Sequence, residues 1–188
     1  TEKRPQHVNI HFYEDLDSDE SFIHLSGNYK NNSSDDPEPL IEPLSSYVNT
    51  QDTKAIIPFT KEHELRYWAE TSSSGWKGPS IEKQEKLSGS KSLKLKLKST
   101  RSASRMALLL PKESGLKSFN LGSLEIQASL SSWGLYKGYY VVYLNGVYDK
   151  EVELTLNLET SQKEVNGYLI DISTKLPDHL DDLYKDRS

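Results

Sequence analysis

Between Lys91 and Ser99, Leu93, Leu95 and Leu97 alternate strictly with Lys94, Lys96 and Lys98. Wound as a helix, those leucines would be scattered around the circumference and could not be buried without their lysines. As a strand, a period of two sends every leucine to one face and every lysine to water. A half-buried strand needs neighbours for its backbone and a second layer over its apolar face. This short segment therefore predicts a layered sheet.

The same period recurs along the chain. Val8, Ile10 and Phe12 alternate with His7, Asn9 and His11 over 6–13, and an acidic turn leads to a second short strand at Phe22–Leu25. Further strands are expected at Ile56–Phe59 and Glu64–Ala69, and from the alternation of Leu124, Ile126, Ala128 and Leu130. Met106–Leu110 is a continuous apolar run halted by Pro111, as in a strand covered on both faces. Asn145-Gly146 follows Tyr139–Leu144 directly and predicts a two-residue hairpin into Val147–Leu158. A second Asn-Gly, Asn166-Gly167, precedes Tyr168–Ile172. Only Leu176, Leu180 and Leu183, behind Pro177, have helical spacing. The expected fold is mostly β: one antiparallel β-sandwich or jelly roll over 1–188, with a long polar loop at about 27–46 and a short C-terminal helix.

With 188 residues the chain is long enough to fold without a disulfide or metal staple. A net charge of −5 argues against nucleic acid or an anionic membrane as partner. No apolar run approaches the roughly 18 residues of a spanning helix, so no membrane-spanning segment is expected. Cysteine is absent, which removes thiol catalysis and Cys-based zinc sites.

The remaining chemistry is sparse. His7 and His11 share a strand face, but their four-residue spacing puts them roughly 13 Å apart, too far for one metal ion. Asp15, Asp17 and Asp19 have the spacing of the first half of a calcium loop, although Glu20 stands where that loop needs glycine. They are the candidate ligands of a structural Ca²⁺. No Gly-x-Ser-x-Gly elbow and no phosphate-cradling glycine loop occurs, so the chain is expected to be non-catalytic.

Aromatic residues carry more information. Trp68, Trp76 and Trp133 fall in or beside expected loops, and Tyr136, Tyr139, Tyr140, Tyr143 and Tyr148 cluster after Trp133. Exposed rings stack on sugars or anchor protein interfaces, while alternate rings along a strand are buried. Trp76, Trp133, Tyr136 and Trp68 are the candidate ligand-binding residues, with Trp76 expected to be exposed. The Lys91, Lys94, Lys96 and Lys98 stripe suits either an acidic partner or the wet face of a strand. Asn31 and Asn32 begin overlapping Asn-x-Ser acceptors that would be glycosylated in a lumenal or secreted protein.

Two family resemblances follow from particular residues. Lys3-Arg4, Gln6-His7 and Phe12 open the chain, and Gly138-Tyr139, Tyr143 and Gly146 lead to the Glu/Val/Leu strand and to Leu176, Leu180 and Leu183. This order resembles the C-terminal lumenal region of endoplasmic reticulum metallopeptidases, multi-spanning relatives of zinc aminopeptidases. The resemblance implies a non-catalytic accessory β domain in the endoplasmic reticulum lumen, in contact with its own catalytic domain or a neighbouring subunit. It implies no metal ligands in this segment. Ser74-Gly75-Trp76 and Gly89-Ser90-Lys91-Ser92-Leu93-Lys94-Leu95 are similar to a loop-and-strand pattern of jelly-roll carbohydrate-binding modules. That similarity implies a glycan ligand held by exposed aromatics, in a secreted or extracellular setting. A general adhesion or interaction domain is the third expectation.

Overall fold

The computed structural model describes residues 8–27, 54–55, 64–65, 68–86, 91–132, 136–159 and 164–181. Where the sequence reading expects one layered domain, the chain groups into two compact units, residues 1–75 with 175–188 and residues 76–174. The polar loop, apart from Gly27, together with Asn31, Asn32, Trp133 and the expected Ile56–Phe59 strand, lies outside the described residues.

In the first unit, β1 (Val8–Asp15) and β2 (Glu20–Gly27) form an antiparallel hairpin from Val8↔Gly27 to Asp15↔Glu20. Two-residue strands β3 (Lys54–Ala55) and β4 (Glu64–Leu65) pair with each other, and β5 (Trp68–Glu70) pairs with β2. The alternation has the anticipated effect: Ile10, Phe12, Ile23, Leu25 and Ala69 turn to one face and pack with Leu176 and Leu180. The short C-terminal helix is not found among the described residues, and Leu183 lies outside them. Through Asp181 the tail makes only a 3-10 turn, Asp178–Leu180, set behind Pro177. Burying Leu176 and Leu180 needs just that turn of chain. Phe12 and Thr71 then hold His179, the first edge-on at 6.3 Å and the second by a 3.2 Å hydrogen bond to Nε2.

The second unit is an antiparallel sandwich. Its strands are β6 (Ser80–Lys86), β7 (Ser92–Lys98), β8 (Arg105–Pro111), β9 (Leu116–Leu121), β10 (Leu124–Gln127), β11 (Tyr139–Asn145), β12 (Glu151–Leu158) and β13 (Tyr168–Ile172). One sheet runs β10-β9-β12-β7-β6 and the other β11-β8-β13. Between them lie Leu93, Leu95 and Leu97 of β7, Leu154, Leu156 and Leu158 of β12, Met106, Leu108 and Leu110 of β8, and Val142 and Leu144 of β11. β8 is the middle strand of its sheet and is buried on both faces, as its continuous apolar run implies.

The hairpin expected at Asn145-Gly146 does not form. β11 pairs with β8, whereas β12 pairs with β7 and β9 in the other sheet, so the turn carries the chain from one layer to the next. Gly146 has the positive φ of 69° that Asn-Gly favours, but its N–H and that of Val147 are both given to Ser104 O. Asn145 stays in the strand, so the two-residue turn with both φ angles positive is not made, and the strand pairing is decided by the layers. A real two-residue hairpin occurs at Gly122-Ser123, between β9 and β10.

Gly167 has a different reason to be glycine. A Cβ there would lie 2.7 Å from the Leu109 carbonyl oxygen and 2.7 Å from Leu110 Cδ2. The first of these is sheet backbone and cannot step aside. Gly167→Ala is expected to cost about 2 kcal/mol through overpacking. A denaturant midpoint equal to that of the parent would show that β13 does not seat this closely.

Candidate binding face

Because β11, β8 and β13 send alternate residues inward, the intervening residues form the outer face of the three-stranded sheet. Cross-strand rows place Tyr143, Ala107 and Ile170 side by side, and then Val141, Leu109 and Tyr168. Tyr139 and Ile172 extend the same face at opposite ends, beside Pro111 and Arg105 respectively. Tyr143 is 50% exposed and Tyr168 36%, whereas Ala107 and Leu109 beneath them are fully buried. The Tyr139 and Tyr168 rings meet edge to face at 6.3 Å, and Tyr136 lies 6.4 Å from Tyr143. Four tyrosines thus ring an aliphatic floor. Burial, with smaller contributions from Tyr168 and Glu113, pushes the Tyr139 hydroxyl above its ordinary value.

The outer face of the five-stranded sheet is different. Lys94 pairs with Glu153 at 3.0 Å, Lys96 with Glu151 at 2.5 Å, and Lys83 with Glu85 at 2.6 Å. Lys91 Nζ donates to the Glu159 carbonyl. Lys94 and Lys96 of the stripe are therefore matched by carboxylates on the same surface. Such solvated pairs add little stability but leave no strong single-sign field for an acidic partner.

The other sequence candidates take varied places. Trp76, expected to be exposed, is instead half-buried, with the Arg101 guanidinium 4.7 Å over its ring. Arg101 is in turn held by Ser173 Oγ at 3.0 Å, by the Asp171 carbonyl at 3.1 Å and by Asp171 Oδ2 at 3.4 Å. Asp171 also accepts from Ser99 Oγ at 2.8 Å, and Thr100 Oγ1 donates to the carbonyls of Lys77 and Gly78. The Trp76 loop is thereby tied to the sheet ends as a packed polar corner. Within it the Asp171 side chain is only 3% exposed, and its buried Oδ1 has no hydrogen-bond partner. Burial raises the Asp171 carboxyl above its ordinary value against the opposing pull of Ser99 and Arg101.

Trp68 is half-buried on the first unit's sheet, directly across from His24. Asp15, Asp17 and Asp19 flank the β1–β2 turn, where Asp15 Oδ1 accepts the Asp17 N–H at 3.0 Å and Asp19 takes a φ of 56°. They are not brought together: among the described residues no three His, Asp or Glu side chains converge as a metal ion requires. Their neighbour Glu14 instead anchors the serine-rich loop. It accepts from Ser73 Oγ at 2.6 Å, from the Ser74 N–H at 3.0 Å, and from the Ser74 and Ser21 hydroxyls. Burial works to raise this carboxyl, but the combined hydrogen bonds hold it below its ordinary value.

Of the candidate ligand-binding residues Tyr136 lies beside this face; Tyr139 and Tyr143 of the tyrosine cluster stand on it, while Tyr140 turns inward to the core. Tyr168 and Ile170, which no local pattern marks, come from a strand more than twenty residues downstream and join the others only across β8. No protein-family model, curated protein or solved structure matches this chain.

Proposed function

We propose that this chain is a non-catalytic binding domain whose working surface is the tyrosine face of β11, β8 and β13, and that its partner is a protein. The supporting observation is the pairing of half-exposed Tyr143 and Tyr168 with an aliphatic floor. Apolar centres rich in tyrosine, with charged groups confined to the rim, are the pattern of protein interfaces. Here the rim holds the exposed Arg105, Glu113 and Lys137. A sugar site needs carboxylate or amide groups among its stacking rings, and the rows across this face supply only tyrosine hydroxyls. The resemblance to lumenal metallopeptidase regions suggests which protein: the catalytic domain of a membrane-bound zinc-metallopeptidase-like chain, or a neighbouring subunit. A glycan ligand is the competing outcome.

The test is site-specific photocrosslinking in cells that make the protein. A benzophenone side chain replacing Tyr143 should give an adduct of one defined mass, and the same probe at Glu153 on the ion-paired face should give none. Tyr168→Arg should lower the Tyr143 adduct about tenfold or more, as loss of an interface anchor does. Equal adducts from both faces would sink the proposal. Binding on a glycan array that Tyr143→Ala abolishes would transfer the face to sugar.

A further inference from the structure

A second feature lies in the first unit. On β1 and β2, His11 and His24 stand directly opposite each other, with ring centroids 5.7 Å apart and planes 23° from parallel. Opposed residues on antiparallel strands have Cβ atoms about 5 Å apart, a separation fixed by the ladder and not by side-chain chance. Two imidazoles on one metal ion, each about 2.0–2.1 Å from it through nitrogen, require ring centres separated by much the same distance as these. Because an imidazole lone pair lies in its ring plane, the near-parallel rings must turn about their side-chain bonds before one nitrogen of each can point at a common ion.

Three further observations favour a cation here. The Nδ1 of His24 is enclosed and has no hydrogen-bond partner, so this ring has an unsatisfied nitrogen. The strands that build the face carry no lysine or arginine. Their charged residues on the side of the histidines are all acidic: Asp15 and Glu20 opposite each other, and Glu70 beside Phe22. Burial, and secondarily His11, lowers His24 to about 4, and burial lowers His11 as well.

We infer that His11 and His24 form a two-histidine chelate for a divalent transition-metal ion of the zinc and nickel class, with water completing the coordination shell. Imidazole nitrogen is the ligand these ions prefer, and the site is distinct from the Asp15, Asp17 and Asp19 turn considered for calcium. It does not depend on the tyrosine face or on any partner.

Isothermal titration of the intact chain with Zn²⁺ and with Ni²⁺ at pH 7.5 tests it. One-to-one binding is expected, weakened at least about tenfold by either His11→Asn or His24→Asn. His179→Asn should leave it unchanged. Because a strand variant could perturb the sheet, the unaltered protein supplies a second reading: Ni²⁺ should broaden the ring resonances of His11 and His24 before those of His63 and His179. Absence of binding heat, first broadening at another histidine, or wild-type affinity in the His11→Asn variant would each overturn the assignment.

Discussion

Arg101→Met is expected to lower the unfolding free energy by about 3 kcal/mol at neutral pH, the typical result of stripping one partner from a buried ion pair. Asp171 would be left with its side chain 3% exposed, one oxygen already unpartnered, and Ser99 as its remaining side-chain donor. The pH dependence follows from the carboxyl itself. Burial raises its folded value above the ordinary 3.8, so the folded chain holds a proton that the unfolded chain has released. That contribution is complete below about pH 3.8 and is lost as pH climbs through the raised folded value. Losing Arg101 raises the folded value further. The variant should therefore lie closest to the parent in acid and fall behind as pH increases. Adding Asp171→Asn removes the charge and should restore at least half of the loss. Denaturant melts of the single and double variants at several pH values measure all three. A deficit below about 1 kcal/mol at neutral pH would mean that water already compensates this carboxylate.

The elements that could be read from the sequence are those in which burial follows directly from period. Leu93, Leu95 and Leu97 point inward because alternation leaves no other choice, and Met106–Leu110 is covered on both sides because both sets of its side chains are apolar. What local pattern does not carry is the partner of each strand. Asn145-Gly146 has the residue chemistry of a hairpin, yet only Gly146 takes a positive φ, and its flanking strands belong to opposite layers. Their apolar faces gain more from covering each other than from pairing edge to edge. The same limit hides the binding face. Tyr143 and Ile170 meet only because β8 lies between β11 and β13. Trp76 failed as an exposed contact for a related reason: Arg101, about 25 residues away, reaches back over its ring.

The consequence of strand order can be measured with two leucines whose sequence settings look alike. Leu154 and Leu124 each belong to an alternating apolar series, and each has its side chain on the core side of the five-stranded sheet. Leu154 is on the central strand β12, between Leu95 of β7 and Leu121 of β9, and is completely buried. Leu124 is on the edge strand β10, opposite Leu121, and is 61% exposed. Leu154→Ala should cost about 3–4 kcal/mol, combining the lost transfer free energy with a cavity whose walls are held by strands on both sides. Leu124→Ala should cost under about 0.5 kcal/mol, since the removed atoms were largely in water already. Thermal and denaturant melts of the two variants, run side by side, give the difference directly. Comparable losses would mean that β10 is not an edge, and that a further layer covers the sheet where Leu124 stands.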